Sequence, residues 1–135
     1  MRRSRHSISA TLACALFTLT SCDSREAVPR HRSVEGCYHV RDIPVLSLSG
    51  TKFHSADGKI VGEYERGEDR AGTYLELKPA VRLRSGVAPP VMIIDKAMPA
   101  AQYVMIERYD HIYIRMPTET LGEELIELGP CSSGR

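Results

Sequence analysis

Gln102-Tyr103-Val104-Met105-Ile106-Glu107-Arg108-Tyr109-Asp110-His111-Ile112-Tyr113-Ile114-Arg115-Met116 decides the fold. In its second half Ile112, Ile114 and Met116 alternate with His111, Tyr113 and Arg115. A helix repeats its apolar face every three or four residues. A period of two belongs to a strand with one buried face and one wet face. The first half, Gln102 to Tyr109, is also rich in β-branched and aromatic residues, and Asp110 marks a tight hairpin between the two.

The same grammar extends outward. Upstream, Val81-Arg82-Leu83-Arg84 alternates cleanly, and Val91-Met92-Ile93-Ile94 is an uninterrupted apolar run that predicts a fully buried strand. The segment Ser85 to Pro90, with Gly86 and Pro89-Pro90, reads as a loop between them. Thr73 to Lys78, Ile60 to Arg66, Lys52-Phe53-His54, Val45 to Leu48 and Tyr38 to Val40 are further short β-prone runs. Breaks fall at the charged turn Gly67 to Gly72, at Ala56-Asp57-Gly58 and at Ser49-Gly50. Asp-Gly is a strong hairpin signal because it tolerates positive φ. From Thr118 to Leu128 two readings stay open. Leu121, Leu125 and Leu128 have helical spacing, although Gly122 weakens a helix by ~1 kcal/mol relative to Ala, whereas Glu124-Leu125-Ile126-Glu127-Leu128 suits a closing strand. Eight to ten short strands with regular turns predict an all-β, antiparallel sandwich or barrel forming one domain over 34–131.

Composition agrees with one small domain in a chain of 135 residues. Trp is absent and Phe occurs only at Phe17 and Phe53, so the core must come from Val, Ile, Leu, Met and Tyr. The formal charge is +1, which gives no electrostatic case for nucleic acid.

The N-terminus carries an address. Arg2, Arg3 and Arg5 precede an apolar run from Ile8 to Leu19, which is too short to span a membrane. This is the pattern of a secretory signal peptide, expected as a helix over 1–21. Leu19-Thr20-Ser21-Cys22 closes it with an aliphatic residue, two small residues and a cysteine. That quartet resembles the lipobox of bacterial lipoprotein precursors. Small side chains admit the peptidase, and only a thiol can form a thioether to diacylglycerol. The resemblance implies cleavage between Ser21 and Cys22, a lipid (palmitate-type) anchor at Cys22, and a place in the cell envelope facing the periplasm or exterior. Asp23 is similar to an inner-membrane retention signal. The alternative is a plain secreted protein cut near Ala13-Cys14-Ala15, although that site lies inside the apolar run. Two or three acyl chains at ~0.8 kcal/mol per buried CH₂ anchor firmly.

With Cys14 removed and Cys22 lipidated as the resemblance implies, Cys37 and Cys131 remain as one pair. Export permits a disulfide between them, closing nearly the whole domain for ~4–5 kcal/mol. The two could otherwise be separate buried thiols. Loss of the three signal arginines takes the formal charge from +1 to −2. Residues 22–33 read as a polar tether with Pro29, and 132–135 as a disordered tail.

No catalytic motif is present, and no cofactor or metal is expected. His31, His39, His54 and His111 show no short ligand spacing, although His39 and His111 occupy outward strand positions. Ser47 or Ser49 with His54 and Asp57 forms a triad only on paper, because a triad is defined by geometry. The six tyrosines read as half-buried packing or, alternatively, as the lining of a barrel mouth. The sequence therefore predicts a lipid-anchored envelope protein that is not an enzyme. Its expected role is a protein-interaction module with a protein partner, recognising through loops such as Gly67–Ala71 and Ser85–Pro90. The alternatives are a calyx-like carrier of a small apolar ligand and, behind it, a small envelope hydrolase.

Overall fold

The computed structural model describes residues 28–29, 32–84, 86, 88–120 and 122–131. The expected signal peptide, Ser21, Cys22, most of the expected tether and the expected tail 132–135 lie outside the described residues. Within them the two-residue period is realised as ten strands: β1 (Gly36–Val40), β2 (Ile43–Ser49), β3 (Lys52–Ser55), β4 (Val61–Asp69), β5 (Gly72–Lys78), β6 (Val81–Arg84), β7 (Val91–Ile94), β8 (Ala101–Arg108), β9 (His111–Pro117) and β10 (Glu123–Gly129). Eight of them close an antiparallel barrel in the order β1-β10-β9-β8-β5-β4-β3-β2. β6 and β7 pair with each other as a two-stranded flap inserted between β5 and β8. Closure leaves the barrel wall with no open edge. The open choice over 118–128 resolves to a turn followed by β10.

Tight turns make this meander possible. Tyr109 and Asp110 have φ of 50° and 65°, and Arg41 and Asp42 have 47° and 68°. Positive φ at both central residues twists a two-residue hairpin to match its strands. Gly50 (φ 61°) does this alone between β2 and β3.

Register carries the core around the axis. Tyr38 stands opposite Leu46 and Leu128, Phe53 opposite Leu48 and Gly62, and Ile114 opposite Met105 and Ile126. Tyr38, Phe53, Leu75, Leu77, Ile114, Met116 and Ile126 have no measurable exposure. Gly62 makes room for the Phe53 ring. A Cβ there would lie 2.3 Å from the Lys78 carbonyl oxygen and 2.4 Å from the ring.

Both barrel ends are covered. At one end the flap turns Val81, Leu83 and Met92 inward, all buried. The Tyr103 hydroxyl fastens it, accepting from Val81 N–H (2.7 Å) and donating to the Val81 carbonyl (2.6 Å). At the other end the N-terminal segment lies across the opening with Val28 buried. Thr73 Oγ1 donates to the Val28 carbonyl (3.0 Å), and Arg66 donates to the carbonyls of Val28 (3.1 Å), Pro29 and Arg32 (2.6 Å). Arg32 in turn pairs with Glu107. The folded body thus reaches back to Val28, into the expected tether.

Two expectations change. Val91–Ile94 is not fully buried: Met92 is, but Ile94 is 46% exposed. The run is the outer strand of a flap, so only one of its faces meets the barrel. The charged turn Gly67–Gly72 shrinks to Arg70-Ala71, because β4 continues to Asp69 opposite Gly72.

The flap carries a pH-sensitive tie. The Arg82 guanidinium bonded to Asp95 (2.5 Å), with the Ala97 N–H (3.0 Å), holds the Asp95 carboxyl below the usual carboxylate range. A lowered native pKa stabilises the fold above the unfolded value of ~3.9 and stops doing so as pH falls through the native value. Asp95→Asn is therefore expected to lower Tm at neutral pH, with the gap from the parent closing below about pH 4. Thermal melts across pH 2–7 check it.

Candidate functional site

Two grooves open at the flap end, on either side of Pro89-Pro90. An apolar groove of about 290 Å³ runs between β7 and the start of β2, lined by Ile43, Pro44, Val45, Ala56, Pro90 and Met92 among others. Its one charged lining residue is Asp57. The Asp57 carboxylate accepts from Ser55 Oγ (2.6 Å) and Lys59 N–H (3.0 Å), which hold it below the usual carboxylate range and so ionised at neutral pH.

A second groove, also about 290 Å³, lies between the flap and the β9–β10 turn, lined by Arg41, Leu83, Arg84, Thr118, Glu123 and Glu124 among others. Its charges are matched: Arg41 faces Glu124 (3.4 Å), Arg84 faces Glu119 (3.5 Å) and Arg115 faces Glu123 (3.4 Å). Such exposed pairs contribute ~0–1 kcal/mol each. A shallower hollow of about 510 Å³ sits on the barrel wall, bounded by Glu63, Glu65, Glu76 and Lys78 with Tyr64 and Thr51. Small-molecule sites span ~300–1,000 Å³ and enclose most of their ligand. The apolar groove, at the lower limit and open on one side, suits one or two side chains of a larger partner.

The residues singled out from sequence are dispersed. Cys37 and Cys131 form the expected disulfide, with Cα atoms 5.0 Å apart. It lies where the first and last barrel strands meet. Ser47 stands opposite His54 and Ser49 opposite Lys52, while Asp57 is engaged by Ser55 and Lys59, so the paper triad is not assembled. His39 and His111 both neighbour Glu127. His39 is the cross-strand partner of Glu127, His111 Nδ1 contacts the Glu127 carboxylate, and the His111 ring stacks 6.4 Å from Tyr113. No group of three metal-ligating side chains is close enough to hold an ion among the described residues.

The tyrosines do not ring a mouth. Tyr38 and Tyr103 are internal struts; Tyr38 OH donates to the Val34 carbonyl (2.7 Å), and burial pushes both phenols up. Tyr74 lies over Gly67 on the outer wall, where a Cβ would come within 2.3 Å of its ring. Tyr109 is 94% exposed at a hairpin tip.

Sequence reading did not foresee the apolar groove. Its walls come from three separated segments that only barrel closure brings together. The available signal was the long apolar run of β7 beside a Pro-Pro pair. The chain matches no protein-family model, and no curated protein or solved structure shows significant similarity to it.

Proposed function

We propose that the chain is a lipid-anchored cell-envelope protein acting as a non-catalytic interaction module, which holds a protein partner at the barrel end opposite its anchor. The observation that carries this is the docking of Val28 at the end away from the flap. Cys22 precedes Val28 by six positions, which extended chain spans in at most ~20 Å. A barrel tied so closely at one end presents its other end, with both grooves, away from the membrane.

Two further features support a binding role over a carrier role. The barrel axis is filled by side chains such as Tyr38, Phe53, Met105 and Ile114, which leaves little room for an enclosed ligand. The reactive side chains considered above are not arranged as nucleophile and base. A closed eight-stranded barrel is nonetheless the architecture of the carrier alternative, and an apolar ligand would then use the external groove.

A photo-crosslinking amino acid placed at exposed Ala88, beside the grooves, is expected to trap one discrete protein in the native membrane. The same group at Gln102, exposed on the barrel wall, is expected to trap none. Equal crosslinking at both positions, or none at Ala88, would contradict the reading.

A further inference from the structure

The flap has two edges, and only one is covered. Asp95 N–H donates to the Ala80 carbonyl (2.8 Å), which fixes the phase of the β6–β7 ladder. With the register Arg82↔Ile93 and Arg84↔Val91, those residues turn their peptide groups towards each other. Val81 and Leu83 on β6, and Met92 and Ile94 on β7, therefore turn theirs to the outer edges.

On β6 the outer edge is occupied. Tyr103 takes both Val81 groups, and Glu119 N–H donates to the Leu83 carbonyl (3.0 Å) beside the parallel bridge Leu83↔Thr118. On β7 no further strand pairs with the corresponding side of Met92 and Ile94 among the described residues, although Met92 is 3% exposed. Buried backbone groups are nearly always paired, so this edge is incomplete.

Open edges are usually protected by a charge, a bulge or a proline within the strand. Val91-Met92-Ile93-Ile94 is short, at four residues, but has none of these. The edge opens onto the apolar groove, whose far wall is Ile43, Val45 and Ala56, with the ionised Asp57 at its rim.

We infer that β7 is an acceptor for β-strand addition by an extended segment of the protein partner, one in which an apolar side chain stands two positions from a Lys or Arg, on the same face. The inference rests on the interaction-module reading above and assigns its site. Backbone hydrogen bonds to Met92 and Ile94 supply the pairing. The apolar side chain enters the groove, and Asp57 selects the basic residue two positions away on that face. Strand addition of this kind draws affinity from the main chain and specificity from alternate side-chain pockets. The groove carries a single sign of charge, so an acidic segment is disfavoured.

The test uses the full chain extracted in detergent and the octapeptide Val-Ser-Lys-Ser-Val-Ser-Lys-Ser, which places valine and lysine on one face of a strand. Amide hydrogen exchange at Met92 and Ile94 is expected to slow about tenfold at saturating peptide, as one or two hydrogen bonds are gained. The same peptide with alternate backbone amides N-methylated is expected to lose the effect, and glutamate in place of lysine to weaken it. Ile94→Pro removes one outward N–H while leaving the β6 ladder intact, and should abolish protection at Met92. The N-methylated peptide keeps the test valid even if that variant folds poorly. Unchanged exchange at millimolar peptide, or binding indifferent to N-methylation, overturns strand addition. Protection elsewhere on the barrel overturns this site while leaving the interaction-module reading standing; failure of crosslinking at Ala88 bears on that reading alone.

Discussion

The double variant Cys37→Ser, Cys131→Ser is expected to lower the midpoint of thermal unfolding by about 20 °C. The bridge joins positions 94 apart in sequence. Cross-linking so long a loop removes denatured-state entropy equivalent to ~4–5 kcal/mol. A domain of this size has only ~5–15 kcal/mol in total. The location adds to the effect. The barrel closes where β1 meets β10 across three register pairs, Cys37↔Gly129, Tyr38↔Leu128 and His39↔Glu127, whereas β4 and β5 share seven. The staple sits at this short seam, beside the Cys37↔Gly129 pair. Circular dichroism melts of parent and variant decide the matter. A change of only a few degrees would mean that the seam holds without the bridge.

Phe53→Ala is expected to cost about 4 kcal/mol, read as a shift in the urea midpoint with little change in slope. Phe53 is the one phenylalanine of the domain and is fully buried. Its ring fills space against Gly62, which offers no side chain to relax into the hole. Cavity costs are greatest where the surroundings cannot collapse. A loss below about 1.5 kcal/mol would show that the barrel interior repacks freely.

The strands were legible because burial on one side imposes a period of two. Ile112, Ile114 and Met116 face the axis as their alternation with His111, Tyr113 and Arg115 required. Barrel against sandwich was not legible, because it depends on β1 finding β10 at the far end of the chain. The Arg41-Asp42 turn carries no Gly or Asn, and its conformation is imposed by the strands on either side. Val91–Ile94 misled for a physical reason: an unbroken apolar run suits a central strand, yet here one edge and part of one face stay open. Arg66 was equally hidden. It alternates with outward glutamates and points into the barrel end, where backbone carbonyls of the N-terminal segment receive it. No local pattern announces a cation whose partners are peptide oxygens some 34 to 38 positions away.

The proposed lipid anchor sets which barrel end would face the membrane. The direct measurement is the intact mass of the protein extracted from its own membrane. The expected mass is that of the chain beginning at Cys22, plus its acyl groups, less two hydrogens for the Cys37–Cys131 bond. An unacylated mass, or one beginning at another residue, would contradict the lipid anchor and the orientation argued from it.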